Sequence, residues 1–573
     1  MLCITVFSLG NAYRTLFRYV SAATMRMLSV NILIYAVPYA GIFTYYGISG
    51  VPRTLGLLQP AMLLLAILTV RILIAQFLQV MSSDPTANDL PNVLIYGSGS
   101  AGRQLLMALR QSQEMKVAGF VDDDITLSGQ TLDGLRVYRP TQLGEVIVQK
   151  RITDVLLAIP SATRKRREEI IADLRRYAVN VRTLPGMLDL VNGRVKVSDL
   201  HEITIDDLLG RDRVAPDVTL LRRNVTGNVV LVTGAGGSIG SELCRQIVDN
   251  APQTVLLLDH SEYALYAIHR ELSGLVAMDG LNIEIVPLLG SVADVRMMDH
   301  VFGTWKPQLV FHAAAYKHVP LVEQNVVEAV RNNVIGTLRL TQAALRHRTA
   351  HVVLISTDKA VRPTSIMGTT KRLAEQVLQA MAVEQSETCL SMVRFGNVLG
   401  SSGSVVPLFR AQAHAGGPVT ITHREMTRYF MLIPEAAQLV IQAGAMARGG
   451  EVFLLDMGQP VKIIDLAYSV IALSGLTVRD EANPDGDIEI REVGLRPGEK
   501  LYEELLIEDA AEASDHPLIM KASEAFIPWH ELEPALTRLQ VMIEQNDETG
   551  LIRELQRLVP EFVGRREGLP ATS

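Results

Sequence analysis

Two adjacent side chains of opposite acid–base character, Asp358 and Lys359, directly follow the apolar run HVVLIST. Such a run is typical of a buried strand, and charged residues directly after one point to a cleft rather than to a surface turn. A carboxyl group in a dry cleft can be kept protonated, and a desolvated lysine near a second cation, Lys371, can be kept neutral. The pair is therefore a candidate for acid–base chemistry, with a solvated loop ion pair as the alternative.

A glycine-rich turn, GAGGSIGSE, follows the predicted strand NVVLVTG. Gly234, Gly237 and Gly240 have the spacing of a dinucleotide-binding loop, which lets a pyrophosphate approach the N-terminus of a helix. Asp259 ends the next predicted strand, where a carboxylate accepts hydrogen bonds from an adenosine ribose and repels a 2′-phosphate. The pattern predicts an NAD site in preference to an NADP site, and a bare glycine turn is the alternative.

Short apolar runs alternate with helical stretches in two consecutive parts of the chain. The second part predicts buried parallel strands at NVVLVTG, TVLLLDH, IEIVPLLG, LVFHAAA, HVVLIST and LSMVRFGNV. The first part contains NVLIYG, KVAGFVDD and ITDVLLAIP, and its glycines at 97, 99 and 102 repeat the phosphate-loop spacing. We therefore predict an α/β fold with two Rossmann-like, doubly wound parallel-sheet domains in series behind a membrane segment. The first of these domains either binds a nucleotide or has a structural or regulatory role.

Changes in composition suggest the boundaries of these parts. A membrane region covers residues 1–81, and the first Rossmann-like domain covers 90–186. An irregular, polar stretch at 187–226 is typical of a linker. The predicted catalytic domain runs from 227 to 510, with its substrate-binding part from about 394, and a C-terminal helical extension occupies 511–573.

The membrane region contains two apolar runs, at about 27–48 and 55–80, joined by the short loop SGVPRT. The first run has no charged residue and is long enough to cross a bilayer as a helix, and the second becomes polar only near its end. Arginine is more frequent before the first run than in the loop, which places both ends of the hairpin in the cytoplasm. These arginines are Arg14, Arg18, Arg26 and Arg53. The alternative is a pair of core helices in a soluble domain.

The overall composition excludes several classes of partner and site. The chain has 54 basic and 61 acidic side chains and a net charge of −7, which argues against a nucleic-acid partner. Its three cysteines lie far apart without metal-ligand spacing, so we expect neither a metal site nor a disulfide framework.

The ordered motifs from about residue 228 to 506 resemble the extended short-chain dehydrogenase/reductase superfamily. Within it, the chain is similar to the membrane-anchored nucleotide-sugar 4,6-dehydratases of bacterial polysaccharide and protein-glycan biosynthesis. The motifs are TGAGGSIGSE, LLDHSEYALY, HAAAYKHVPLVE, NNVIGT, STDKAVRPTSIMGTTKRLAE, VRFGNVLGSSGSVVPLF and LRPGEKLYEEL. Larger members of this group also place membrane helices, usually four, and a Rossmann-like domain before the catalytic domain.

The resemblance implies a reaction in which NAD⁺ takes a hydride from C4 of a nucleotide-linked hexose. The resulting ketone acidifies the C5 proton, the C6 hydroxyl leaves as water, and the hydride returns to C6. The resemblance makes Asp358 the acid for C6 and Lys359 the base for C5. It also places Thr357 at the catalytic Ser/Thr position and Lys371 at the lysine that binds the nicotinamide ribose.

Met367 stands where the superfamily usually has a catalytic tyrosine, and a thioether carries no proton. The membrane-bound dehydratases share this methionine, which implies that the C5 configuration is retained. We expect Thr357, or a water relayed to Asp358, to deprotonate O4, while Met367 contributes packing and excludes water. Tyr316 and Lys317 are further candidates for the missing group.

The resemblance also implies two sets of binding residues. The cofactor set is Gly234, Gly237, Ser238, Ile239, Gly240, Asp259, His260, Ser261, Ser291, Val292, Ala313, Ala314, Ala315 and Lys371. The substrate set is Lys317, Asn397, Val405, Arg496 and Glu499. In this set Asn397 would contact the sugar diphosphate, Arg496 would bind pyrophosphate, and Glu499 would bind a ribose diol. A surface arginine is the alternative for Arg496.

These inferences predict a UDP-N-acetylglucosamine 4,6-dehydratase with bound NAD. Its product would be the UDP-4-keto-6-deoxy-N-acetylhexosamine precursor of amino- or diamino-sugars. We expect a homo-oligomer in the bacterial inner membrane, multi-pass, with cytoplasmic catalytic domains. Two alternatives stay open: an NAD-dependent UDP-sugar C4 epimerase, disfavoured by Asp358 and Lys359, and a non-catalytic membrane sensor of nucleotide sugars, favoured by Met367.

Overall fold

A computed structural model provides the fold of this chain. It describes residues 6–7, 22–81, 90–112, 114–159, 162, 164–174, 177, 179–183, 201–202, 214–385, 387–401, 403–481, 483–496, 498–504 and 511–562. The chain divides into two compact units. One comprises Met1–Pro91 with Glu114–Lys116, and the other comprises Asn92–Gln113 with Val117–Ser573.

The N-terminal unit contains two apolar helices, α1 (Ala22–Ala40), continued by a π-helical turn at Gly41–Tyr46, and α2 (Leu55–Met81). By length and composition, one helix among the described residues, Arg26–Tyr46, can cross a membrane. The apolar stretch of α2 among the described residues, Leu55–Arg71, is shorter, so a two-span hairpin stays a prediction. The predicted positive-inside residues Arg14 and Arg18 lie outside the described residues.

The first sheet of the second unit has the strand order β3-β4-β2-β1-β5-β6-β7. Its strands are β1 (Asn92–Tyr96), β2 (Lys116–Val121), β3 (Thr131–Leu132), β4 (Leu135–Tyr138), β5 (Ile152–Leu157), β6 (Asn180–Thr183) and β7 (His201–Glu202). Helices α3 (Ser100–Ser112), α4 (Leu143–Lys150) and α5 (Arg164–Leu174) belong to the same part of the chain. The pairs β1–β5, β5–β6 and β2–β4 are parallel, as expected for a doubly wound sheet.

Strand β7 pairs antiparallel with β6, although it lies inside the stretch predicted as a linker. A two-residue strand leaves no hydrophobic alternation in the sequence, which is why the pattern did not indicate it. The linker residues 187–200 and 203–213 lie outside the described residues.

The second sheet has nine strands in the order β10-β9-β8-β11-β12-β13-β18-β23-β22. They are β8 (Val229–Thr233), β9 (Thr254–Asp259), β10 (Glu284–Leu289), β11 (Leu309–His312), β12 (His351–Ile355), β13 (Cys389–Arg394), β18 (Val452–Leu455), β22 (Glu512–Ala513) and β23 (Ile519–Ala522). The neighbouring strands β10, β9, β8, β11, β12, β13 and β18 are parallel to one another. The strands in the middle of the sheet are almost fully buried. Strands are added outward in one direction from β8 to β10 and in the other direction from β11 onward. The position between β8 and β11 is therefore the switch point, where doubly wound sheets bind ligands. The predicted α/β fold with doubly wound parallel sheets is confirmed.

Helices cover both faces of this sheet and bury two large apolar clusters against it. They are α6 (Val218–Arg223), α7 (Ser238–Asp249), α8 (Glu262–Met278), α9 (Val295–Trp305), α10 (Val319–Gln324), α11 (Val326–Ala329), α12 (Thr337–Arg346), α13 (Ile366–Glu384), α14 (Val405–His414), α15 (Ile433–Met446) and α16 (Ile463–Leu473). A π-helical segment, Val330–Gly336, joins α11 to α12.

Short strands beside the sheet form the predicted substrate-binding part. They are β14 (Asn397–Val398), β15 (Val419–Ile421), β16 (Thr427–Arg428), β17 (Phe430–Met431), β19 (Val461–Lys462), β20 (Val478–Arg479) and β21 (Ile488–Glu492). They pair as β14–β17, β16–β19 and β15–β21–β20, and pack around a separate apolar cluster.

The C-terminal segment completes the second sheet. Strand β23 pairs antiparallel with β18, and helices α17 (Trp529–Glu544) and α18 (Glu548–Leu558) contribute leucines to the main core. The sequence predicted only helices here, because strands of two to four residues carry little periodicity. Residues 563–573 of this segment lie outside the described residues.

Candidate active site

A cleft of about 910 Å³ opens at the carboxyl ends of β8, β11 and β12. Its volume is in the range of cavities that hold a cofactor or a nucleotide-sized ligand. The cleft brings together predicted residues from the whole catalytic domain. Those that line it are Gly237, Ser238, Ile239, Gly240, Ala313, Ala315, Lys317, Thr357, Asp358, Lys359, Met367, Lys371, Asn397, Val405, Arg496 and Glu499.

The glycine turn between β8 and α7 forms one end of the cleft. Gly234 has a φ of +66°, which favours glycine, and a Cβ on Gly240 would lie 2.0 Å from the Gly234 carbonyl oxygen. The helix therefore starts directly on the turn, with its first N–H groups open toward the cleft. Glycine leaves open space along this turn that any other side chain would fill, and such a space fits the pyrophosphate of a dinucleotide.

Asp259 fixes this turn from the end of β9. Its Oδ2 accepts a hydrogen bond from Gly236 N at 2.9 Å, and its Oδ1 accepts one from Ser261 N at 2.8 Å. A carboxylate oxygen can accept more than one hydrogen bond, so the buried Asp259 can still receive a ribose diol. Asp259 is not among the residues that line the cleft, and neither are the remaining predicted cofactor residues: Gly234, His260, Ser261, Ser291, Val292 and Ala314.

Helix α13 carries Met367 and Lys371 one turn apart along one wall of the cleft. Lys371 is buried and donates a hydrogen bond from Nζ to the Ile355 carbonyl oxygen at 2.7 Å. Burial lowers the pKa of Lys371 to about 8. Met367 is buried and places an apolar thioether where a proton-carrying phenol would otherwise stand.

Asp358 and Lys359 open a 3-10 helix (Asp358–Ala360) directly after β12. Lys359 Nζ lies 3.0 Å from Asp358 Oδ1, 3.0 Å from Asn397 Oδ1 and 2.8 Å from Glu503 Oε1. Thr357 donates a hydrogen bond from Oγ1 to Asp358 Oδ1 at 2.9 Å. The candidate acid, the candidate base and a hydroxyl group thus form one hydrogen-bonded cluster, and its carboxyl group is 1% exposed.

The expectation that Lys359 can be kept neutral and Asp358 protonated is wrong for this arrangement of side chains. Burial acts to lower the pKa of Lys359, but the Asp358 and Glu503 carboxylates outweigh it and raise this pKa to about 12. Burial acts to raise the pKa of Asp358, but the Lys359 ammonium outweighs it and holds this pKa below its usual value. The resting pair is therefore ionised, because oxygen atoms from three segments surround the lysine.

Glu503 and Arg428 belong to this cluster and were missed by the sequence analysis. Arg428 Nε lies 3.0 Å from Glu503 Oε1, and Asn397 donates from Nδ2 to Glu503 Oε2 at 3.3 Å. Burial raises the pKa of Glu503 to about 7, although Lys359 opposes the shift. Glu503 stands in the motif LRPGEKLYEEL, but glutamates beside a lysine and a tyrosine are typical of a solvated surface.

The predicted substrate residues lie around the same cluster. Asn397 contacts Lys359 and Glu503 in the protein without ligands, so a sugar diphosphate would have to share or displace its amide group. Arg496 is exposed at the cleft edge, where its guanidinium is accessible to an anion. Glu499 accepts a hydrogen bond from Arg496 N at 3.2 Å, which stabilises the RPGE turn.

A buried ion network supports the catalytic turn from behind. Ser356 donates a hydrogen bond from Oγ to Glu375 Oε1 at 2.6 Å, and the fully buried Arg394 pairs with Glu375 and with Glu524, each at 2.6 Å. Arg394 is the last residue of β13, and Glu524 lies two residues after the end of β23. The C-terminal segment therefore takes part in positioning the strand end that precedes Asp358.

Comparison with known proteins gives a family for this chain. Residues 230–524 match the model of the family described as polysaccharide biosynthesis protein. The capsular polysaccharide biosynthesis protein CapD of Staphylococcus aureus is 46% identical over 417 residues, which cover 72% of this chain and 68% of that protein. The probable polysaccharide biosynthesis protein EpsC of Bacillus subtilis is 41% identical over 470 residues, which cover 79% of this chain and 76% of that protein. A UDP-glucose 4-epimerase of Rickettsia canadensis is 33% identical over 289 residues, which cover 50% of this chain and 80% of that protein.

The family match runs from Val230 in β8 to Glu524, two residues after β23, and therefore includes every element around the cleft. The chain belongs to the polysaccharide biosynthesis protein family, and the sheet that the family model covers is doubly wound.

Proposed function

We propose that this protein is a nucleotide-sugar-modifying enzyme of polysaccharide biosynthesis, and specifically an NAD-dependent UDP-N-acetylglucosamine 4,6-dehydratase that retains the C5 configuration. The observation that carries the proposal is the ion pair of the buried Asp358 and the half-buried Lys359 in the same cleft as the dinucleotide-type glycine turn. An enzyme that only oxidises or epimerises C4 needs no such acid–base pair beside its sugar. Membership in a polysaccharide biosynthesis family supports a sugar substrate.

The glycine turn and Lys371 would hold NAD, and its chemistry there would be reversible hydride transfer at C4 and C6 of the sugar. The N–H groups at the start of α7 would bind the pyrophosphate, and Asp259 would bind the adenosine ribose. The buried Lys371 would orient the nicotinamide ribose. The apolar Met367 would keep bulk water away from the reacting carbons.

The side chains of Thr357, Asp358 and Lys359 would transfer the protons. The C4 hydroxyl proton would pass to Thr357 Oγ1 and on to Asp358 Oδ1, since these two oxygens are 2.9 Å apart. The C4 ketone then acidifies C5, and Lys359 Nζ takes the C5 proton once it has lost its own. Asp358 gives its proton to the C6 oxygen, which leaves as water, and Lys359 later returns its proton to C5.

The test is an NMR time course with full-length protein, NAD and UDP-N-acetylglucosamine in deuterated water. We expect a 4-keto-6-deoxy product with deuterium at C5 and the original C5 configuration. Lys359→Ala should abolish C5 deuteration, because the variant lacks the amine that is proposed to take the C5 proton. Deuterium entering at the normal rate in this variant would mean that another base acts, and an unchanged substrate with wild-type protein would remove the dehydratase proposal.

A UDP-sugar C4 epimerase is the second candidate, favoured by the relative from Rickettsia canadensis, which is named as a UDP-glucose 4-epimerase. The same spectra separate the two reactions. An epimerase gives an isomer of unchanged mass that keeps its C6 hydroxyl group, whereas a dehydratase gives a C6 methyl group.

A further inference from the structure

The proposed reaction delivers two protons to one small cluster, and Asp358 can hold only one of them. The first leaves the C4 hydroxyl during oxidation and reaches Asp358 through Thr357. The second is the ammonium proton that Lys359 must lose before its nitrogen can act as a base. Asp358 keeps the first proton until the C6 oxygen leaves, so a second acceptor is required within reach of Lys359.

Resting on the proposed dehydration, we infer that Glu503 is this acceptor: its carboxylate takes the ammonium proton of Lys359 before C5 is deprotonated and returns it afterwards. Glu503 Oε1 lies 2.8 Å from Lys359 Nζ, which is the shortest of the three polar contacts of that nitrogen given above. Glu503 does not need to touch the sugar. It acts through Lys359 and is a positioning residue in that sense.

The surroundings of one oxygen support this assignment. Glu503 Oε1 is buried and lies between two cations, 2.8 Å from Lys359 Nζ and 3.0 Å from Arg428 Nε. Because no other side chain stands between this oxygen and the Lys359 nitrogen at 2.8 Å, the ammonium proton can pass directly from one to the other.

The protons and electrons balance over one turnover. The C5–H electron pair forms the C5–C6 double bond while the C6–O bond breaks, and the oxygen leaves as water with the Asp358 proton. A hydride equivalent to the one removed from C4 then adds to C6, and Lys359 returns a proton to C5. Glu503 finally gives Lys359 its ammonium proton back, so all three side chains end in their starting state.

The surroundings of Glu503 allow it to accept and release a proton near neutral pH. The groups that face it are Asp358 and Lys359 from the 3-10 helix, Arg428 from β16, and Lys500 on its own segment. Burial and Asp358 raise the pKa of Glu503, Lys359 and Arg428 oppose them, and the result is about 7. Only the ionised carboxylate can accept, so the elimination should slow as the pH falls through about 7.

The test compares wild-type, Glu503→Gln and Glu425→Gln proteins as full-length, NAD-loaded chains. The amide retains the shape of Glu503 but cannot take a proton, and Glu425 is a surface carboxylate paired with Lys462 at 3.0 Å outside the cleft. We expect Glu503→Gln to oxidise C4, seen as bound reduced nicotinamide, but to incorporate deuterium at C5 about 100-fold more slowly. The rate of C5 deuteration by Glu503→Gln should also not fall as the pH drops below 7, whereas the rate of Glu425→Gln should fall as that of the wild type does.

C5 deuteration within about twofold of wild type in Glu503→Gln, with the same pH profile, would overturn the inference. Infrared difference spectra separate this failure from a failure of the proposed function, because they need no turnover. A protonated-carboxyl band that grows between pH 8 and pH 6, and is lost only in Glu503→Gln, would support the proton acceptor even if UDP-N-acetylglucosamine is not dehydrated. The absence of such a band would overturn the acceptor even if dehydration is observed.

Discussion

The charge state of one lysine depends on residues that are distant in the sequence. The adjacency of Asp358 and Lys359 after a buried strand was enough to identify the candidate acid–base pair. Its resting ionisation could not be predicted, because Asn397 and Glu503 approach Lys359 from other segments. Local sequence patterns indicate which residue types are available, whereas the pKa of each group is set by neighbours that only the fold brings together.

At this residue scale, Asp358→Asn should block an earlier step than Lys359→Ala. The amide cannot take the C4 hydroxyl proton from Thr357, so we expect C4 oxidation to slow by about 100- to 10,000-fold. Mixing each variant with NAD and UDP-N-acetylglucosamine, and following the absorbance of reduced nicotinamide, checks this order. Lys359→Ala should accumulate reduced cofactor and Asp358→Asn should not. Equal accumulation in both variants would exclude Asp358 as the acceptor of the C4 proton.

At the scale of elements, the turn between β8 and α7 was predictable almost residue by residue. Its glycines are required by local geometry: Gly234 has a positive φ, and Gly240 touches the Gly234 carbonyl group. The short strands β7, β22 and β23 were not predictable, because strands of two to four residues carry little periodicity. Long periodic elements can thus be inferred from sequence, whereas edge strands require knowledge of the sheet they join.

We predict that Gly240→Ala disrupts this turn, because the added Cβ would lie 2.0 Å from a backbone oxygen. The strain should destabilise the folded protein by about 1–3 kcal/mol and weaken NAD binding. Gly274→Ala is the matched control, since that glycine lies in α8 with nothing within 4 Å of an added Cβ. It should stabilise the helix by about 0.5–1 kcal/mol. Thermal unfolding and NAD titration measure both effects, and equal behaviour of the two variants would contradict the prediction.

At the scale of the whole molecule, the C-terminal segment and the catalytic strands form one folded unit. The segment adds β22 and β23 to the sheet, packs two helices on the core and supplies Glu524 to the buried Arg394. Breaking such a buried pair is costly, so the segment is integral to the catalytic fold. The family model accordingly extends through residue 524.

The membrane assignment belongs to the same scale. Among the described helices, Arg26–Tyr46 is apolar and long enough to span a bilayer, and we propose that it tethers the protein to a membrane. A multi-pass arrangement, the cytoplasmic orientation of the catalytic domain and the homo-oligomer stay predictions. The role of the first Rossmann-like sheet also stays open.

The central claim is that one active site removes a hydride from C4, eliminates water and returns the hydride to C6 of the same sugar. The most direct measurement uses UDP-N-acetylglucosamine labelled with deuterium at C4, and NMR of the product formed by the full-length enzyme. We predict that the deuterium is found in the C6 methyl group of a 4-keto sugar. Deuterium retained at C4 of an isomer, or a substrate recovered unchanged, would contradict this account.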